Sequence, residues 1–368
     1  MENTTYVGLD VHKLTIAVAV FLPGKTEPLE WTDPNTDRVV RRLARKLKRL
    51  APGPIVACYE AGPCGYVLKR QLEKLEIPCQ VIAPSLIPRK PGDRVKTDRR
   101  DARKLAEMLR GGYLTEVHPP TPLEEAVRDL CRCREDARED LMRARHRVTK
   151  FLLRRGLTWA GRDWTHTHTT WLRSLQLEVE ADRATLADYV RSVEFQQDRI
   201  AALDEELAKA AQQEPFQQPV AWLRCFRGID TVTALTFVSE IHDFRRFRTA
   251  RELMSYLGLT PSEWSSGERE RRGGITKAGN SHARRVLIEC AWHYRHIPAV
   301  GPGLKKRRKG QPGMIIALAD KAHRRLWTRY RKLYRVQNKP HTKVIVAIAR
   351  ELAGFLWAAM TQIAPVAA

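Results

Sequence analysis

Cysteine is scarce, and its placement does not suggest a staple. The seven cysteines (Cys58, Cys64, Cys79, Cys131, Cys133, Cys225 and Cys290) are odd in number, scattered, and contain no C-x-x-C pair. That argues against a disulfide framework and against a zinc site, so the expectation is a reduced, cytoplasmic chain. No G-x-x-x-x-G-K-[ST] occurs, which disfavours a P-loop ATPase motor. Long apolar runs are missing too. Leu14 to Leu22 is far short of the roughly 20 residues a spanning helix needs, and Leu352 to Ala368, broken by Gln362 and Pro365, reads as a last core helix. Met1 to Lys13 has no basic stretch leading into an apolar one, so no secretory signal is expected. The remaining deficit is negative charge: 42 Asp and Glu face 65 Lys and Arg, leaving a formal +23. Such an imbalance costs self-repulsion unless the partner is a polyanion. Nucleic acid is the first candidate, and a membrane surface is a weak second.

What is present suits a folded chain of two or three domains. Of 368 residues, 43% are hydrophobic, enough for real cores. Tyr6 to Asp10 and Leu14 to Leu22 read as two strands of a hairpin, followed by a helix over Thr36 to Leu50, a strand at Ile55 to Tyr59, and a helix over Gly65 to Leu75. A strand at Cys79 to Ile82 and a helix over Asp98 to Arg110 complete an α/β domain spanning 1–118. After the Pro-rich connector His118 to Pro122, Leu123 to Arg155 and Leu172 to Gln213 predict two long charged helices, a hairpin or coiled coil over 119–215. Gly156 to Thr170 reads as a loop, with His166 and His168 as loop residues and Trp159, Trp164 and Trp171 as packing. A mostly helical domain then covers 216–368.

Within this basic chain a few carboxylates stand out. Asp10 ends one predicted strand, Glu60 ends another, and Asp98 and Asp101 lie three apart at a helix start, so both leave one helix face. If the strands are neighbours and the helix packs over their ends, four carboxylates converge. Divalent cations would then be needed to neutralise them, two of them about 4 Å apart serving phosphodiester chemistry. Oxygen donors favour Mg²⁺ (or Mn²⁺) over zinc. Each carboxylate alone has an ordinary reading as a turn or helix-dipole residue. The combination favours a metal site.

The strings Y-V-G-L-D-V-H-K from Tyr6, Y-E-A-G from Tyr59 and K-T-D-R-R-D-A from Lys96 resemble the DEDD transposases of the insertion-sequence-110 family. The resemblance extends to Tyr256–Leu287, which is similar to that family's transposase-20-type domain. It implies an RNase H/RuvC-like N-terminal fold with the quartet on Asp10, Glu60, Asp98 and Asp101, and a serine-recombinase-like C-terminal domain. It also implies a nucleophile at Ser266, a bridge RNA pairing with donor and target DNA, and a homodimer or dimer of dimers. Leu223 to Ala234, with a Gly turn between short helices, resembles a helix-hairpin-helix.

The chemistry of the serine loop can be argued separately. Gly267 permits a sharp bend after Ser266, and Arg269, Arg271, Arg272 and Lys277 supply charge for a phosphoryl transition state. A serine ester would store the phosphodiester bond without ATP. Further basic residues read as nucleic-acid contacts: Arg41, Arg45 and Arg49 on the N-terminal domain, Arg284 and Arg285 after the loop, then Lys305, Lys306, Arg307, Arg308, Lys309, Arg324 and Arg325, with Trp327, Tyr330 and Tyr334 interleaved for base stacking. The reading is a DNA transposase. Its rivals are a RuvC-like junction nuclease using water attack and a non-catalytic nucleic-acid-binding protein.

Overall fold

Alternation along the first strands places each side chain on one of two sheet faces. A computed structural model describes residues 3–88, 97–264 and 271–361, and the chain divides into two units, Met1–Pro120 and Thr121–Ala368. The first unit runs β1 (Thr5–Val11), β2 (Thr15–Phe21), β3 (Leu29–Pro34), α1 (Asp37–Leu50), β4 (Ile55–Glu60), α2 (Val67–Lys74), β5 (Cys79–Ile82) and α3 (Asp98–Arg110). The sheet order is β3-β2-β1-β4-β5. β1, β2 and β3 pair antiparallel as a meander, whereas β4 and β5 join β1 in parallel.

One sheet face carries Val7, Leu9, Ile16, Val18, Ala57 and Tyr59 against Val40, Leu43 and Leu47 of α1 and Leu68 and Leu72 of α2. The other carries small residues, Ala17 and Ala19, against Ala102 and Ala106 of α3. Smallness matters here. A Cβ on Gly8 would run into the backbone of Ala102 and Ala106, so glycine in mid-strand marks the close approach of a helix. The β5 edge is covered by an isolated bridge from Ile82 to Glu116. Strand β3 and its edge position went unread in the sequence, because L-E-W-T-D-P is polar and mostly exposed.

The second unit begins with α4 (Pro122–Leu153), opened by a capping box in which the Thr121 hydroxyl accepts from Glu124 N–H and the Glu124 carboxylate accepts from Thr121 N–H. At 32 residues, it is about 48 Å long. α5 (His166–Ser174) leads to α6 (Glu180–Ala210), which runs antiparallel to α4. Ion pairs Arg134–Asp204, Arg199–Asp140 and Arg155–Asp182 step in opposite directions along the two helices. The segment expected as a loop with His166 and His168 instead starts α5: Thr165 caps it, and buried His168 stacks on Trp171 and accepts a hydrogen bond from Trp164 N–H. The second long helix is correspondingly shorter, broken over 175–179.

Beyond the hairpin come α7 (Gln217–Leu223), α8 (Thr231–Ile241), α9 (Ala250–Tyr256), the strands β6 (Pro261–Glu263) and β7 (Arg272–Ile275), α10 (Ser281–Ala291), α11 (Pro302–Arg308), α12 (Gly313–Arg331) and α13 (His341–Thr361). Their core also takes Val127 and Cys131 from α4 and Leu207 from α6, so the hairpin root and these helices fold together. α13 is apolar and long enough to cross a membrane. It is a core helix here, burying Val344, Ile345, Ile348, Leu352 and Leu356.

Candidate active site

Parallel pairing sets the geometry of the acidic site. Leu9 is opposite Tyr59 in the β1–β4 register, so the next residues lie side by side: Asp10 one residue before the end of β1 and Glu60 at the end of β4. Both leave the face covered by α3. Gly8 lets α3 lie close on that face, and the helix starts at Asp98 with Asp98 and Asp101 in its first turn, capped by the Thr97 hydroxyl. His12 Nε2 stands 3.3 Å from Asp10 Oδ2 and 3.5 Å from Asp98 Oδ1. One donor atom from each of Asp10, His12 and Asp98 lies within 4.8 Å of the others, and no other such group of three occurs among the described residues. The Asp10 side chain is 19% exposed and that of Asp98 61%, which puts Asp10 at the back of the site and Asp98 on its rim. Partial burial raises the Asp10 carboxyl above its ordinary range, and the charges of Asp98 and Asp101 add to that, against the pull of His12.

So two of the other predicted carboxylates, Asp98 and Asp101, act on Asp10. Glu60 shares the sheet face by register but is outside the 4.8 Å group. His12 was overlooked in the sequence, although an Asp and a His two apart in extended chain share a face.

In the helical unit the loop between α9 and α10 is clamped at its base. Glu240, at the end of α8, is buried; Arg132 of α4 donates to it through two nitrogens at 2.8 and 3.0 Å, and the Asn280 amide donates at 2.7 Å. Burial alone would raise this carboxyl, but Arg132 and Asn280 bring it below its ordinary value. Asn280 also caps α10 and donates its backbone N–H to Tyr256. Strands β6 and β7 pair into a short hairpin, with Trp264 N–H donating to the Arg271 carbonyl. Ser266 and Arg269 lie outside the described residues, as does the side chain of Arg272. Arg271 and Lys277 are exposed.

The basic residues divide into surface and scaffold. Arg41, Arg45 and Arg49 are exposed along α1, as are Lys305, Lys306, Lys309 and Arg324 in the helical unit. Others expected as nucleic-acid contacts have partners within the fold, Arg325 while staying 62% exposed. Arg308 is buried, paired with Asp320 and donating to the Cys225 carbonyl; Arg307 donates to the Arg224 carbonyl. Arg284 spans the loop base by donating to Leu257 and Ala278 carbonyls, Arg285 pairs with Glu135 and Glu289, and Arg325 pairs with Glu351. Tyr330 is buried and bonded to His341, leaving Tyr334, stacked on it, as the outer ring. Spacing along a chain reports charge density but not which guanidinium finds a carbonyl.

Residues 7–155 match a family model for DEDD transposases of the IS110 type, and residues 221–301 match one described as Transposase IS116/IS110/IS902 family. The chain belongs to this transposase family. Among its relatives, a Sinorhizobium fredii protein named as a transposase (y4qE) is 41% identical over 96% of this chain and 87% of its own length. The transposase for insertion sequence element IS1533 of Leptospira borgpetersenii is 36% identical over 90% of this chain and 97% of its own. The transposase for insertion sequence element IS1111A of Coxiella burnetii is 26% identical over 74% of this chain and 77% of its own. The present transposase is therefore a DNA-cleaving and recombining enzyme, and its DEDD domain suggests a divalent metal. The donor set fits one: Asp10 and Asp98 offer hard oxygens and His12 a nitrogen, close enough to share an ion.

Proposed function

We propose that the transposase cuts and rejoins the DNA of an insertion sequence through a phosphoserine intermediate. Asp10, Glu60, Asp98 and Asp101, on an RNase H/RuvC-like sheet, would hold Mg²⁺ or Mn²⁺, and Ser266 would be the nucleophile. The observation that carries this is the meeting of Asp10 and Asp98 at one end of the sheet, in a chain matched by a DEDD transposase model.

The serine Oγ forms a bond to phosphorus as the bond to one sugar oxygen breaks; the serine proton leaves to a base and the departing oxygen takes up a proton. A strand hydroxyl later reverses the exchange, so no external energy is needed. A divalent cation held by these carboxylates would neutralise their charge and polarise a phosphodiester oxygen. The clamp on Glu240 fixes the base of the loop, and Arg271 and Lys277 supply positive charge beside it. Target choice is assigned to a bridge RNA pairing with donor and target DNA. Assembly is assigned to a homodimer or dimer of dimers through the hairpin over 119–215, with the helix-hairpin-helix-like turn before α8 holding phosphate and the serine-recombinase-like domain spanning 216–368. Unpaired cysteines suit action in the cytoplasm.

The deciding experiment incubates the protein, with its co-purifying RNA, with supercoiled DNA and Mg²⁺. A protein–DNA adduct is expected, absent in Ser266→Ala and in Asp10→Asn. An active Ser266→Ala protein leaving 5′-phosphate ends would replace this reading by water attack.

A further inference from the structure

His12 is held in place before any ligand arrives. Its backbone N–H donates to the Thr15 carbonyl at 2.9 Å, and its own carbonyl accepts from the Asn35 side-chain amide at 2.8 Å. These bonds close the β1–β2 turn and fix the root of the imidazole beside Asp10. From there Nε2 sits 3.3 Å from an Asp10 oxygen and 3.5 Å from an Asp98 oxygen.

Those separations are long for N–H···O hydrogen bonds, which centre near 2.9 to 3.0 Å. They do match neighbouring ligands on a shared ion. Donors about 2.1 Å from one cation stand about 3 Å apart at right angles and about 3.4 Å apart in a tetrahedron. The three donors are thus near enough to one another to share a cation. Exposure agrees: the His12 side chain is 53% exposed, so the ring borders water from which an ion could enter.

We propose that His12 is a metal ligand, its Nε2 joining Asp10 and Asp98 around one divalent cation, and that this nitrogen makes the site hold Mn²⁺ in preference to Mg²⁺. The inference rests on reading the carboxylates as a metal site and adds what that reading lacks, a donor outside the DEDD quartet and a consequence for ion choice. Magnesium demands near-ideal octahedral oxygen surroundings and gives up water reluctantly. Imidazole nitrogen suits first-row transition ions, and among these Mn²⁺ also takes the carboxylate and water oxygens that Mg²⁺ takes.

The test uses full-length protein stripped by chelation and titrated with Mn²⁺, with free ion followed by electron paramagnetic resonance. The bound ion is then examined by electron spin-echo envelope modulation for ¹⁴N coupling. Wild type is expected to show imidazole coupling that His12→Gln loses, with Mn²⁺ affinity falling roughly tenfold or more. Competition by Mg²⁺, read as its own dissociation constant, should move by less than about twofold. Mn²⁺ bound in a manner dependent on Asp10 but without ¹⁴N coupling, or with coupling retained in His12→Gln, overturns the ligand assignment and leaves the carboxylate site standing. Absence of any Asp10-dependent binding of Mn²⁺ or Mg²⁺, with and without DNA, removes the metal-site reading and this proposal with it. Circular dichroism of His12→Gln separates these outcomes from misfolding.

Discussion

Asp10 carries the electrostatic cost of the site. Burial and the nearby carboxylates raise its folded pKa above the ordinary 3.8, so the folded state holds the proton more tightly than the unfolded chain does. The associated stability is fullest below 3.8 and is lost as pH rises through the raised value. At neutral pH the ionised group is a net cost that a cation bound there would relieve. Asp10→Asn should therefore melt at or above the wild-type temperature in chelator and lack the rise in melting temperature expected of wild type with Mg²⁺ or Mn²⁺, as read by calorimetry. His323 illustrates the opposite case. Burial, helped by Arg227 and Arg308, pushes its pKa down to about 4, and Arg227 donates to Nε2, so the ring is neutral with its proton on Nδ1. Its contribution is lost as pH falls from 6.5 toward 4, on the order of 3 kcal/mol at full titration. Denaturant melts of His323→Gln should show a shallower loss across that window than wild type.

Helices and strands show which side-chain patterns survive packing. The elements around the acidic site were readable from strand alternation and helical spacing, and Asp98 to Arg110 was read to its ends. What spacing did not reveal was Gly8, whose missing side chain sets how near α3 lies. Gly8→Val should cost about 1–3 kcal/mol through overpacking. It should also abolish the cation-dependent rise in melting temperature although Asp10 and Asp98 are intact; a variant that keeps that rise would show that close approach of α3 does not matter. The β6–β7 hairpin was also missed, since its strands are only three and four residues long and half of β7 is glycine. At its base, Glu240→Ala removes the carboxylate from the Arg132 fork and the Asn280 amide, a buried charge loss of about 3–5 kcal/mol. Urea unfolding should show that loss, with Arg132→Met in the double variant recovering part of it.

For the whole chain, +23 predicts salt-sensitive DNA binding. The exposed Lys305, Lys306 and Lys309 should act through phosphates. Changing all three to alanine should lower the slope of log affinity against log salt by about 2 to 3. Arg308→Ala, by contrast, removes a buried pair with Asp320 and should reduce stability; a change in slope with unchanged stability would contradict its scaffold role.

Composition, strand-end carboxylates and helix periodicity follow from chemistry local to the chain, and the amino-acid order alone specified them: a basic protein, an α/β unit ahead of helices, acids at Asp10, Glu60, Asp98 and Asp101. Packing decided the rest. The company of His12 with Asp10 and Asp98, the burial of Arg308 and the Glu240 clamp across α4, α8 and α10 depend on segments far apart in sequence meeting in space. Side-chain direction and the competition among carbonyls, carboxylates and water for each cation are fixed only when those segments pack.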